Sequence, residues 1–156
     1  MISSLAGFST AAVLLGYGFN WFHRRETRQN RVHALTRVAD ASGVVAAATD
    51  GRIVSDAWGF CSSVRTYLDV DVPAARVLLL PMVVHGLDQA VEKAHEDLER
   101  LEDLLADVRL VNDRGDMSYP DGSTPQTIKD WVEDLMQQIF GMDMALMRRE
   151  RELRKR

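Results

Sequence analysis

Apolar residues recur at heptad spacing in two stretches in the second half of the chain. They are Leu87, Val91, Ala94, Leu98, Leu101, Leu105 and Val108, then Ile128, Val132, Leu135, Ile139, Met142 and Leu146. Alternating steps of four and three residues place each set on one side of a helix. Because a loop rich in aspartate, glycine and proline joins the stretches, they predict an antiparallel helical hairpin over residues 82–110 and 124–155.

The second hairpin helix has a clear predicted start at Ser123. Ser123 and Gln126 have the spacing of a capping box, and Pro125 suits the first helical turn. Upstream, apolar spacing predicts helices over residues 24–50 and 52–68. The run Asp69–Pro73 is expected to break the second of these, with Asp71 capping a new helix. The apolar run 77–84 is consistent with a kinked buried helix or a buried strand, and we favour the helix.

The N-terminal segment, residues 1–22, contains no charged side chain. As a helix it would be roughly 33 Å long, close to the thickness of a bilayer core. Trp21 and Phe22 lie at its end, where aromatic residues favour the membrane interface. Arg24, Arg25 and Arg28 follow and would remain on the cytoplasmic side. The segment therefore predicts a transmembrane anchor with an external N-terminus.

Three other interpretations of the N-terminal segment remain open. A cleaved signal peptide would have a basic start and a small-residue cleavage site, and both are missing. A helix lying on the membrane surface would have a charged face, which the segment lacks. A helix buried in protein is consistent with its polar residues, which are Ser3, Ser4, Ser9, Thr10 and Asn20.

These elements predict an all-α protein with one transmembrane helix and a small helical bundle that contains the hairpin. The expected divisions are an anchor over 1–22, a basic juxtamembrane helical stem over 23–50 and a helical domain over 51–156. The expected location is a single-pass membrane protein with a cytoplasmic C-terminal domain. The single cysteine, Cys61, agrees with a reducing compartment.

Charge is separated into blocks, although the net charge is only −4. Five arginines and one glutamate lie in 23–37, and six bases and two acids lie in 148–156. Eight acids and two bases lie in 88–107. The negative net charge of the chain argues against nucleic-acid binding. The basic blocks would suit membrane lipid, and the segregation suits contacts with other protein subunits or with a second copy.

The sequence contains no motif that predicts an enzyme, and it implies no cofactor. Glycine-rich phosphate loops, nucleophile elbows and zinc-ligand spacings are missing. Glu92 and His95 form one Glu-x-x-His, whereas a di-iron bundle needs two. Cys61 lies in an apolar stretch and is expected to be a buried, unreactive thiol.

Three functional hypotheses follow from this pattern. The first is a membrane-anchored helical interaction protein, an accessory or scaffold subunit of a larger assembly. The second is a membrane-active protein of the holin or toxin type. The third is a metal-dependent enzyme assembled by dimerisation around Glu92 and His95. The size of the domain that follows the first 22 residues favours the first hypothesis.

Overall fold

The computed structural model describes residues 2–78, 86–111 and 113–155, with side chains for 23–77, 86–111 and 113–155. The chain is all-α apart from two very short strands. Its helices are α1 (Ile2–Ala46), α2 (Ile53–Thr66), a π-helix (Tyr67–Asp71), α3 (Val72–Leu78), α4 (Leu87–Asp107) and α5 (Pro125–Arg154). The strands are β1 (Arg109–Leu110) and β2 (Met117–Ser118).

Helices α1, α2, α4 and α5 form an antiparallel bundle in which each packs against the next, and α5 packs against α1. Cross-helix contacts fix these directions. Lys129 of α5 donates to the carbonyl oxygen of Ala46 at the end of α1, while Glu150 near the end of α5 contacts Arg31. Arg65 and Glu102 form an ion pair between α2 and α4. The bundle therefore runs up, down, up and down.

The predicted hairpin residues lie at the centre of the bundle. Eleven of the thirteen residues in the two heptad sets are buried, and Val91 and Val108 are half-buried. The buried residues are Leu87, Ala94, Leu98, Leu101, Leu105, Ile128, Val132, Leu135, Ile139, Met142 and Leu146. Val91 packs against the same core. Gln138 of α5 donates to Asp97 of α4 at 2.6 Å, which ties the two helices together beside the core.

The start of α5 differs by one residue from the sequence prediction. Thr124, not Ser123, is the N-cap, and its partner is Thr127 rather than Gln126. Thr127 Oγ1 accepts from the Thr124 backbone N–H at 3.0 Å, and Thr124 Oγ1 accepts from the Thr127 N–H at 3.4 Å. A hydroxyl at the third helical position can close the box as an amide can, so a search for glutamine alone missed it.

The predicted break over Asp69–Pro73 is wrong. The chain stays helical through it, as a π-helix that leads directly into α3. Pro73 lies in the first turn of α3, where its missing N–H costs little. Asp71 is not a helix cap, because it lies inside the π-helix and is buried. Of the apolar run 77–84, Val77 and Leu78 are helical and the remainder lies outside the described residues.

The loop between α4 and α5 carries the two strands, which pair antiparallel with Arg109 opposite Ser118 and Leu110 opposite Met117. Gly115 lies in the turn with a φ of 88°, a conformation that a side chain would strain. Tyr119 follows β2 and packs against the core. This hairpin therefore lies at the end of the bundle where α4 ends and α5 begins.

The predicted membrane location is wrong. Among the helices that the structure describes, none combines the length and the apolar character needed to cross a bilayer. This finding contradicts the single-pass membrane protein with an external N-terminus, and it leaves the transmembrane anchor over 1–22 without support. The prediction relied on missing charge, but five polar residues interrupt the segment, so missing charge was a poor measure of apolarity.

Candidate functional site

A network of polar side chains lies inside the bundle where α1, α5 and the π-helix meet. The Arg31 guanidinium of α1 lies between two carboxylates of α5, Asp143 and Glu150. Its Nε is 2.9 Å from Asp143 Oδ1, and its Nη2 donates to Glu150 Oε2 at 3.2 Å. Tyr67 of the π-helix donates its hydroxyl to Asp143 Oδ1 at 2.9 Å. Three elements that are distant in sequence thus share one charged cluster.

The network is almost dry. Arg31 is 1% exposed, Asp143 is 2% exposed and Tyr67 is completely buried, while Glu150 reaches the edge of the cluster. Burial by itself would lower the pKa of Arg31, but its hydrogen bond to Glu150 and the charges of Glu150 and Asp143 raise it. Arg31 therefore remains a cation, and the two carboxylates are its counter-ions.

The π-helix explains how Tyr67 reaches this position. The wider turn of the π-helix places two pairs of neighbouring residues on the buried side. These pairs are Tyr67 with Leu68 and Asp71 with Val72. Burial, followed by the negative charge and hydrogen bond of Asp143, raises the pKa of the Tyr67 hydroxyl, which keeps it a donor. Burial also raises the pKa of Asp71, although the charges of Arg37 and Arg31 oppose this.

The network joins three elements through one carboxylate oxygen. Arg31 remains a cation, the Tyr67 hydroxyl keeps its proton, and the Arg31 Nε and the Tyr67 hydroxyl both lie at Asp143 Oδ1. A buried ion pair contributes little net stability, but separating its two charges is costly. Sliding α1 along α5 would therefore leave a buried charge without its partner.

On the solvent side of the same two helices lies an exposed apolar surface, which we call the α1–α5 row. It consists of Val32, Leu35 and Ala39 on α1 and Phe140, Met144 and Met147 on α5. Val32 is 48% exposed, Phe140 44% and Met144 62%, whereas Leu35 and Ala39 are half-buried. Leu35 and Ala39 also pack against the buried core, so the row begins at the edge of the core and extends to the outside of the bundle.

Position along the helices shows that the two halves of the row are adjacent. Lys129, Asp143 and Glu150 all contact α1, which identifies the side of α5 that faces it. Met147 lies between Asp143 and Glu150, about one turn from each, so it lies along the same side. On α1, Ala34 and Arg37 border Ser62, Ser63 and Thr66 of α2. Val32 lies about 160° around the helix from Ala34, so it lies on the side away from α2.

Antiparallel packing also brings the two basic blocks to one end of this surface. The first side chains described on α1 lie beside the C-terminal part of α5, as the contact between Arg31 and Glu150 shows. Arg28 is half-buried, while Arg148, Arg151 and Arg154 are exposed. The opposite end of the row carries exposed acids, Asp40 and Glu133.

The residues predicted to contact a membrane interface are only partly described. Arg24 and Arg25 are exposed and Arg28 is half-buried. The side chains of Trp21 and Phe22 lie outside the described residues. The membrane location is wrong, so these arginines are not assigned to a lipid surface. Arg28 belongs instead to the basic end of the row, together with the arginines at the end of α5.

The other residues weighed from the sequence occupy ordinary environments. His95 Nε2 lies 3.4 Å from Asp69 Oδ1, and Glu92 is exposed. Within the described part of the chain, no three histidine, cysteine or acidic side chains converge to hold a metal ion. Cys61 is buried, and this burial raises the pKa of its thiol to about 12, so it is not a thiolate at neutral pH.

The sequence did not predict the network, because each of its residues also fits a simpler pattern in its own segment. Arg31 was counted with the basic block, and Tyr67 with the apolar face of its helix. Asp143 gave the best available signal, since it is the only charged residue in the apolar run Ile139–Met147. An isolated acid beside a heptad row predicts a buried partner of opposite charge.

Comparison with known proteins adds no function. No protein-family model, no curated protein and no solved structure matches this chain. The functional argument therefore depends on the geometry of the bundle and of its surface.

Proposed function

We propose that this protein is a helical interaction module that acts as an accessory or scaffold subunit by binding another protein through the α1–α5 row. The observation that supports this proposal is the exposure of Val32, Phe140, Met144 and Met147 on adjacent helices of a bundle whose described residues form a buried core of their own. Contiguous apolar surface on a folded domain is typical of a protein interaction site.

The chemistry of the row also supports binding. Methionine side chains are flexible and polarisable, and they fit partner surfaces of different shapes. Phenylalanine is enriched with methionine and arginine at protein interfaces, and arginines lie at one end of this row. The buried network beneath the row holds α1 and α5 in a fixed register, so the surface is already formed before a partner arrives.

The experiment compares the native assembly of the wild-type chain with that of a surface variant. In gentle extracts of the cells that produce it, the chain is expected to elute well above its own mass of 17.5 kDa. The triple variant Phe140→Gln, Met144→Gln and Met147→Gln is expected to elute near that mass. Circular dichroism and thermal unfolding of both proteins check that the variant remains folded.

A matched control changes three exposed residues on another helix. Glu92→Gln, Glu96→Gln and Glu99→Gln alter the outer side of α4 and should leave the elution of the assembly unchanged. If the α5 variant elutes with the wild type, the row does not hold the assembly together and the proposal fails.

A further inference from the structure

We propose, on the basis of the function above, that the α1–α5 row accepts one amphipathic helix of a partner protein, with acidic side chains flanking one end of its apolar face. The length of the row is the first argument. Val32 to Ala39 and Phe140 to Met147 each span two helical turns, roughly 10 Å. A docked helix presents apolar anchors at i, i+3 or i+4, and i+7 over the same length.

The spacing of the row matches this mode of binding. Phe140, Met144 and Met147 are separated by four and three residues, and Val32, Leu35 and Ala39 are separated by three and four. Because ridges on adjacent helices leave a groove between them, we expect a shallow groove between α1 and α5. A third helix can lie in that groove and cover both ridges at once.

Charge complementarity identifies the chemistry of the partner. The basic end of the row is formed by Arg28 on α1 and by Arg148, Arg151 and Arg154 on α5. Their combined field attracts acidic side chains and disfavours basic ones. Since Asp40 and Glu133 lie at the opposite end, the acidic part of the partner helix has a defined direction in the groove.

The acidic helix of a second copy is a poorer occupant. The exposed side of α4 carries the complementary charge through Glu92, Glu96 and Glu99. Among the described residues, however, the exposed large apolar side chains lie elsewhere than on α4, whose apolar residues face the core. Docked α4 would neutralise the arginines and leave the methionines facing water.

The test uses two synthetic helices and the full-length chain. Both peptides, of about 18 residues, carry leucine anchors at i, i+3, i+4 and i+7; one has flanking glutamates and the other has lysines at the same positions. Fluorescence anisotropy is expected to show that the glutamate peptide binds at least about tenfold more tightly. Raising the ionic strength from about 0.05 M to about 0.3 M should reduce this preference.

Variants of the protein separate the contributions of charge and apolar contact. Arg148→Glu with Arg151→Glu should reverse the preference, so that the lysine peptide becomes the tighter ligand. Met144→Gln, which adds no charge, should weaken both peptides by about tenfold or more, and Met144→Glu should also weaken the glutamate peptide. Arg109→Glu is the matched control: it reverses an exposed charge on β1, at the other end of the bundle, and should change neither affinity.

Three results would overturn the inference. The first is equal binding of both peptides. The second is binding of the glutamate peptide that persists in the Met144→Glu variant, since this indicates a site for any polyanion. The third is concentration-dependent dimerisation in sedimentation that masks the row. If the native assembly still depends on Phe140, Met144 and Met147, the proposed interaction function stands while this description of its partner falls.

Discussion

Helices α4 and α5 belong to one hairpin and share one core, but their polarity is arranged differently. Every large apolar residue of α4 faces the core or lies half-buried beside it, and its outer side is charged. In α5 a carboxylate, Asp143, lies inside, while Phe140, Met144 and Met147 lie outside. Under the proposed function, this difference gives α5 a second contact to make, with a partner protein.

The largest expected effect comes from breaking the charged interior of α5. Asp143→Ala leaves Arg31 with a single carboxylate and removes the acceptor of the Tyr67 hydroxyl. The free energy of unfolding should fall by about 3–5 kcal/mol, measured by urea denaturation followed by circular dichroism.

A double replacement separates the cost of an orphaned charge from the value of the pair. Arg31→Met with Asp143→Leu removes both charges at similar volume, and it should recover most of the lost free energy. If the single variant lost less than about 1 kcal/mol, the network would be wetter than its burial implies.

The apolar interiors of the two helices should behave alike. Leu98 of α4 and Leu135 of α5 are 0% and 1% exposed. Replacing either by alanine should cost about 2–5 kcal/mol, because each leaves a cavity in the same core. A much smaller loss at Leu135 than at Leu98, in parallel urea titrations, would show that α5 is held by its ionic network rather than by its buried apolar residues.

The pH dependence of stability tests the buried carboxylate beside this network. The pKa of Asp71 is raised from its ordinary value of 3.8 by burial, against the charges of Arg37 and Arg31. The folded state therefore binds this proton more tightly than the unfolded state, and ionising Asp71 removes stability as the pH rises above 3.8.

Asp71→Asn isolates this contribution from the other carboxylates. The stability of the variant relative to the wild type should increase between pH 3.5 and pH 7 (about the window in which the raised pKa acts). Thermal unfolding at several pH values measures it. Asp97, whose pKa is lowered by hydrogen bonds from Gln138 and Lys93 despite partial burial, is present in both proteins and cancels. A constant difference across the window would contradict the assignment.

The smallest effect on stability is expected at Met144, where the proposed effect on partner binding is large. Met144→Gln changes a side chain that is 62% exposed, so the free energy of unfolding should change by no more than about 0.5 kcal/mol. Glu96→Gln on α4 is the matched exposed change. A loss of about 2 kcal/mol at Met144, measured by the same urea titration, would place that residue in the core of the monomer and remove the main argument for the row.

The hairpin was predictable because the heptad spacing repeats over many turns of both helices. Rotating either helix would expose its whole set of apolar residues, so the spacing defines the buried side. It could not predict the continuous helix from α2 to α3. Pro73 and two aspartates are typical of a break, whereas the π-helix that stands there packs against α1, a contact between residues distant in sequence. The cap of α5 was displaced by one residue, since Ser123 and Thr124 both have capping hydroxyls.

The candidate site was less accessible to sequence reasoning than the fold. The heptad spacing of α5 does not include Phe140, Met144 and Met147, and it gives no indication of whether another helix covers them. The structure leaves Phe140, Met144 and Met147 exposed, on the edge of α5 beside α1. Pairing of Arg31 with Glu150 spans 119 positions, a separation at which local patterns carry no information about partners.

That separation also has a consequence for how the chain is made. Ribosomes add residues at about 5–20 per second, so Arg31 is synthesised roughly 6–24 s before Glu150. Throughout this interval α1 can pack against α2 but has no counter-ion from α5. The contacts that close the bundle between α1 and α5 therefore form only after α5 has been made.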